Sequence, residues 1–271
     1  MDKANLRKNI INKATRIIIK VGSAVLAGSH HEGLDSRVFH SLAKGVSDIK
    51  KSGRDVVIVS SGAIAIGMKK MGLHEKPKTI SEKQAIASIG QVSLMSMYEK
   101  AFAPLNKKVA QILLTHDDIA DKKRFQNARH TIKTLFNYGI IPIINENDTV
   151  AVEEIKFGDN DNLAALVTHL VDADLLVILT DTDGLYDKDP KHDRTAVFIP
   201  FVDDIDSLTV KTLGASGKFG TGGFASKVSA AKKALDFGVP TLIVNGNDKE
   251  ILGKVFDGKE VGTFFMARGK G

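Results

Sequence analysis

Several short stretches of the chain are almost continuously apolar and rich in β-branched residues: Ile17 to Val21, Asp55 to Val59, Val109 to Leu114, Ile140 to Asn145, Leu175 to Leu179 and Thr241 to Asn245. Runs of this kind, without apolar–polar alternation, are those of strands buried on both faces, as in a parallel sheet. Between them lie segments with helical periodicity: Ser36 to Lys51, Glu82 to Ala101, Arg124 to Asn137, Leu163 to Leu170 and Ser226 to Phe237. The last of these runs into Gly238, with Pro240 just beyond, which is a C-cap followed by a stop. The alternation predicts an α/β fold, a three-layer α/β/α sandwich with a mostly parallel central sheet. No low-complexity linker and no internal repeat divides the chain. A boundary near residue 170 would separate halves of similar βα content, but one sheet running through both is the simpler expectation, giving a single domain over 1–271.

Ligands of such sheets bind at the carboxyl ends of the strands, and here the strand ends are unusually polar or glycine-rich. Lys20-Val21-Gly22-Ser23 can set an ammonium beside backbone N–H donors, an arrangement that binds phosphoryl oxygens; a lysine with its head in water is the plainer reading. Ser60-Ser61-Gly62-Ala63 opens a helix and either caps it or lets backbone N–H groups approach an anion. No G-x-S-x-G elbow surrounds these serines, which argues against a nucleophile. Asn145-Glu146-Asn147-Asp148 is more polar than a turn requires. Phe157-Gly158-Asp159-Asn160-Asp161-Asn162 precedes a helix and can cap it, hold an ammonium or orient lysines; it lacks the ligand ladder of an EF-hand. Thr180-Asp181-Thr182-Asp183-Gly184-Leu185-Tyr186 follows the most apolar strand and is either a nucleotide pocket or an acidic turn. Gly217 to Lys227 brings glycines, Ser226 and Lys227 to a helix mouth, where N–H groups, helix dipole and ammonium favour phosphate. Neither a Walker A nor a protein-kinase catalytic loop is present.

Composition narrows the field. The 271 residues are 43% hydrophobic and 26% charged, as in ordinary globular proteins. With no cysteine, disulfides, thiolate metal sites and a cysteine nucleophile are excluded. The net charge of +6 fits either a nucleic acid or an anionic substrate. The basic residues are scattered rather than striped and are not interleaved with aromatics, so no nucleic-acid partner is expected. No apolar run is long enough to span a bilayer, and residues 1–20 lack a signal-peptide core; the expectation is a cytoplasmic protein without membrane contact. The histidines are scattered, and none is assigned to catalysis.

Taken in order, these segments resemble the amino-acid kinase family from about Lys20 to Phe265. The most specific parts are Ser60 to Ala65, Arg124-Phe125-Gln126-Asn127-Ala128-Arg129, Ile144 to Asp148 and Gly158 to Asn162, supported by Thr180-Asp181, Gly184-Leu185-Tyr186 and Gly220-Thr221-Gly222-Gly223. The resemblance implies ATP-dependent phosphorylation of the side-chain carboxylate of L-glutamate, the first step of proline biosynthesis. Aspartate, N-acetylglutamate, carbamate or a nucleoside monophosphate are the alternative acceptors on the same fold, and a nucleotide sensor without turnover is the alternative class. It implies that Lys20 and Lys227 flank the transferred phosphoryl group and that Asp161 orients them. Ser61, Gly62, Ala63, Asn145, Asp148, Asp159 and Asn160 would hold glutamate. Lys20, Gly22, Ser23, Thr180, Asp181, Tyr186 and the loop Thr221, Gly222, Gly223, Phe224, Ala225, Ser226, Lys227 would hold ATP. Magnesium would ride on the ATP phosphates with few or no direct protein ligands.

The glutamate side would thus fall at about 14–170 and the ATP side at about 171–267. The likeness also implies a homo-oligomer (dimer or tetramer), feedback inhibition by proline, and hand-over of a labile product to glutamate-5-semialdehyde dehydrogenase. The sequence departs from the family pattern at Ala24, where a hydroxyl residue is common, and at Phe224 and Ser226, where Met and Thr are. No C-terminal PUA domain, which many relatives carry, is expected within the 271 residues.

Overall fold

The apolar runs become the strands β1 (Arg16–Val21), β2 (Asp55–Ser60), β3 (Val109–Leu114), β4 (Ile141–Glu146) and β5 (Leu175–Thr180). Three short strands follow, β6 (Leu185–Tyr186), β7 (Phe198–Ile199) and β8 (Phe201–Val202), then β9 (Thr241–Asn245) and β10 (Thr263–Phe265). The computed structural model describes residues 2–27, 35–151, 160–188, 193–208 and 223–267. Its helices are α1 (Lys3–Lys13), α2 (Ser23–Ala27), α3 (Ser36–Lys51), α4 (Ala63–Met71), α5 (Ile80–Phe102), α6 (His116–Ala120), α7 (Lys122–Asn137), α8 (Asn160–Leu170), α9 (Ile205–Leu208), α10 (Gly223–Asp236) and α11 (Ile251–Phe256).

One 8-stranded sheet has the order β3-β4-β2-β1-β5-β9-β10-β8. It is parallel from β3 through β9; β10 runs antiparallel to β9, and β8 pairs parallel to β10. Strand alternation divides the apolar residues between two cores. Ile17, Ile19 and Val21 of β1 and Leu175, Val177 and Leu179 of β5 pack with Phe39 of α3, Leu94 and Tyr98 of α5 and Val255 of α11. Ile18 of β1 and Leu176 and Ile178 of β5 face the other way, onto Leu163 and Val167 of α8 and Val228 and Ala231 of α10. Both faces are therefore covered, which is why the strands read as unbroken apolar runs.

The same parity aims Lys20 at the face that carries α8 and α10, because it lies two residues after Ile18. Paired register brings Val21 level with Ser60 on one side and Leu179 on the other. Chain order turns around at β1, with β2 on one flank and β5 on the other, and this is where open α/β sheets bind their ligands.

Helix starts differ from the sequence reading in a way that matters for the site. α8 begins at Asn160 rather than Leu163, and α10 at Gly223 rather than Ser226. Polar first turns look like loop in a pattern of hydrophobicity, yet they are where a helix presents unpaired N–H groups. α5 begins at Ile80, fixed by a capping box in which Thr79 accepts from the N–H of Glu82 while the Glu82 side chain accepts from Thr79.

Candidate active site

Helix α8 brings its first turn to the carboxyl end of β1. Asp161 Oδ1 lies 2.5 Å from Lys20 Nζ, and only 6% of the lysine and 5% of the aspartate side chain remain exposed. The other oxygen, Oδ2, accepts from Ser226 Oγ at 2.8 Å and lies 3.5 Å from Lys227 Nζ. One carboxylate thus spaces two ammonium groups that come from a strand end and from a helix start. Burial pushes the Asp161 carboxyl up, but the charges of Lys20 and Lys227 and the hydrogen bonds from Lys20 and Ser226 outweigh it and hold the group below its ordinary value. Beside this pair, Gly22 leaves space open: a Cβ there would stand 3.7 Å from Lys20 Nζ and 3.6 Å from Leu179 O.

A second cluster adjoins the first. Asn160, the neighbour of Asp161, donates from Nδ2 to Ser60 O at 2.8 Å, to Ser61 Oγ at 3.1 Å and to Asn145 Oδ1 at 3.0 Å. Ser60 Oγ in turn is 2.8 Å from the fully buried hydroxyl of Tyr98. Burial drives that phenol far above its ordinary range, so it stays protonated. These groups border a cavity of about 440 Å³ lined by Ser23, Ser61 to Ala65, Met68, Lys76, Pro77, Lys83, Asn145, Glu146, Asp148 and Asn160. The first turn of α4 forms one wall; Gly62 caps it in the left-handed region at φ 104°, a conformation that glycine adopts without steric cost. On another wall, burial raises Asp148 to about 6.

On the far side of Lys20, β5 ends in the buried Thr180, whose Oγ1 donates to Asp181 Oδ1 at 3.2 Å. Asn245, paired with Thr180 across the sheet, donates to Asp183 Oδ1 at 2.8 Å. Tyr186 packs edge-on to Phe198 with ring centroids 5.3 Å apart.

The structure therefore brings Lys20, Asp161, Ser226 and Lys227 together, and next to them Ser61, Gly62, Ala63, Asn145, Asp148 and Asn160. Phe224 packs against the core beneath α8 and α10, and Ala225 is exposed. Asp159, Thr221 and Gly222 lie outside the described residues. Nothing in the sequence pointed to Lys83, Gln91 or Tyr98; all three sit on α5, where they read as ordinary helix positions. Among the described residues no group of three or more His, Cys, Asp or Glu side chains is placed to hold a metal, and no helix is long and apolar enough to cross a membrane.

A strand-end lysine and a helix-start lysine spaced by one carboxylate, beside a cavity lined by both acidic and basic side chains, can neutralise a phosphoryl group next to a small charged molecule. A model of the amino acid kinase family matches residues 15–245, and the chain belongs to that family. Within it, the chain is similar to proteins named glutamate 5-kinase. It is 52% identical over 262 residues to that of Geobacter sulfurreducens, covering 96% of this chain and 70% of the relative. With that of Thermus thermophilus it shares 46% over 255 residues, covering 94% and 68%. The fold matches a UMP kinase from Ureaplasma parvum, with TM-score 0.64, 18% identity and coverage of 94% and 99%. It also matches an isopentenyl phosphate kinase from T. acidophilum, with TM-score 0.56, 20% identity and coverage of 93% and 100%.

Proposed function

We propose that this protein transfers the terminal phosphoryl group of ATP to the side-chain carboxylate of L-glutamate, giving ADP and L-glutamyl 5-phosphate. The observation that carries the reading is the Lys20–Asp161–Lys227 array beside a cavity whose walls suit a zwitterionic amino acid. A carboxylate oxygen of glutamate forms the new O–P bond while the bond from the terminal phosphorus to the bridging oxygen breaks. The acceptor is already ionised at neutral pH, its ordinary pKa being about 4.3, so no general base is needed. What the site must supply is alignment and neutralisation of the charge on the transferring group, and the two lysines provide that charge.

Asp161 keeps both ammonium heads apart and aimed. Asp148 faces the α-ammonium, while Ser61, Asn160 and the N–H groups of the α4 first turn receive the reacting carboxylate. Lys83, on the rigid start of α5, is the cation for the α-carboxylate. ATP enters from the β5 side, against Gly22, Ser23, Thr180, Asp181 and Tyr186 and the segment leading to Lys227, which puts the glutamate side before residue 170 and the ATP side after it. The nucleotide brings its magnesium ion, which neutralises phosphate charge. The acyl phosphate product is labile, so direct hand-over to glutamate-5-semialdehyde dehydrogenase, a homo-oligomeric assembly and inhibition by proline at the zwitterion-binding walls complete the proposal, with the cytoplasm as its place.

The test is ATP consumption with Mg²⁺ and L-glutamate in the presence of hydroxylamine, which traps the acyl phosphate as the hydroxamate. Glutamate-dependent hydroxamate supports the reading. Turnover only with aspartate, N-acetylglutamate, carbamate or a nucleoside monophosphate keeps the family and overturns the substrate.

A further inference from the structure

Gln91 lies in the middle of α5 and does not line the cavity, yet its Oε1 accepts from Asn145 Nδ2 at 2.8 Å. The direction of that bond is fixed from elsewhere. The backbone N–H of Glu146 donates to Asn145 Oδ1 at 2.9 Å, and a backbone N–H can only donate. Asn160 Nδ2 donates to Ser60 O at 2.8 Å, and a carbonyl can only accept, so the same nitrogen reaches Asn145 Oδ1 as a donor. With Oδ1 held by two donors, Asn145 must turn its Nδ2 away from the cavity and needs an acceptor there. Gln91 is that acceptor. Its own Nε2 is buried and has no hydrogen-bond partner among the described residues, so of its two amide atoms only the oxygen has a partner.

The preceding residue reinforces the point. Gly90 meets the first turn of α4 so closely that a Cβ would lie 1.8 Å from Ala63 O. Adjacent residues of one helix thus set two walls of the cavity: Gly90 admits α4, and Gln91 orients the end of β4.

We infer that Gln91 is a positioning residue for the acceptor site, holding the Asn145 carboxamide in the orientation that directs Asn160 and Ser61 at the substrate. The inference rests on the assignment of that cavity to glutamate. Gln91→Leu removes the acceptor and leaves Asn145 free to turn over; Gln91→Glu keeps an acceptor oxygen towards Asn145 and exchanges the unpartnered nitrogen for a second carboxylate oxygen. In the hydroxamate assay, Q91L should raise the KM for glutamate by about tenfold or more, the scale of an orphaned buried donor. Its KM for ATP should change little, and Q91E should stay within about threefold of the wild type. A crystal structure of Q91L, which needs no turnover, should show the Asn145 amide rotated. An unmoved Asn145, an unchanged glutamate KM, or equal losses for both substrates in both variants would overturn the positioning role. A wild-type protein inert towards glutamate overturns the substrate instead, and the Q91L structure then still decides the role of Gln91.

Discussion

Lys20 and Asp161 meet as a buried ion pair, 2.5 Å apart, although they come from a strand end and a helix start 141 positions apart in the chain. Removing one partner of such a pair leaves the other charge uncompensated, at a cost of about 3–5 kcal/mol. Asp161→Asn should therefore lower the melting temperature and, by letting the two lysines repel, reduce kcat by about a hundredfold or more. The sign with pH follows from the depressed carboxyl. Its stabilisation is complete above the ordinary carboxylate value and is lost as the pH falls through the lower folded value. Melting curves of the wild type should show that acid limb, and those of D161N should lack it.

Asp148 behaves in the opposite sense. Burial raises it to about 6, so folding favours its protonated form, and that contribution disappears as the pH rises through the folded value. Its ionised form is the one that an α-ammonium needs. The specificity constant for glutamate should then fall as the pH drops below about 6, by up to about tenfold per unit. Asp148→Asn should abolish that limb, raise the glutamate KM at every pH and leave the KM for ATP nearly unchanged. A limb that persists in D148N would assign the titration to another group.

The sheet was legible because strands covered on both faces must be apolar throughout, as Ile17 to Val21 and Leu175 to Leu179 are. The polar strand end after Ile144 also marked Asn145 as a site candidate, while Lys20 and Asp161 gained their roles from the family resemblance. The joining of Lys20 to Asp161 was legible only through that resemblance, because it depends on α8 crossing over β1, which no local pattern records. The short antiparallel pair β6–β7 and the reversed β10 were equally hidden, since two- and three-residue strands carry no periodicity. Gln91 and Lys83 escaped notice because a helix surface tolerates Gln and Lys anywhere, and only the tertiary neighbour gives each a task.

Lys83 supplies a prediction about selectivity. It lines the acceptor cavity together with Asp148, and an amino acid offers both an ammonium and a carboxylate at its α-carbon. 4-Aminobutyrate keeps the reacting carboxylate and an amine but lacks the α-carboxylate. Wild-type protein should prefer glutamate over it strongly, whereas Lys83→Met should lose about tenfold or more of that preference by slowing glutamate alone. An equal loss with both acceptors would mean that Lys83 shapes the cavity without reading the α-carboxylate.

Two glycine substitutions should act in opposite directions. Alanine at Gly90 would press its Cβ to 1.8 Å from Ala63 O and 2.6 Å from Gly67 N, both backbone atoms of α4. No rotamer change relieves that contact, so α4 itself must shift. Gly90→Ala should cost about 1–3 kcal/mol or more and raise the glutamate KM more than that for ATP, because the displaced turn is a wall of the acceptor cavity. Gly253 lies within α11, where an added Cβ meets nothing within 4 Å. There alanine only removes backbone freedom from the unfolded chain, and Gly253→Ala should gain up to about 1 kcal/mol with unchanged kinetics. Melting curves and KM values for both substrates check the pair; a G90A protein with wild-type melting and wild-type KM would show that α4 and α5 are not locked at this contact.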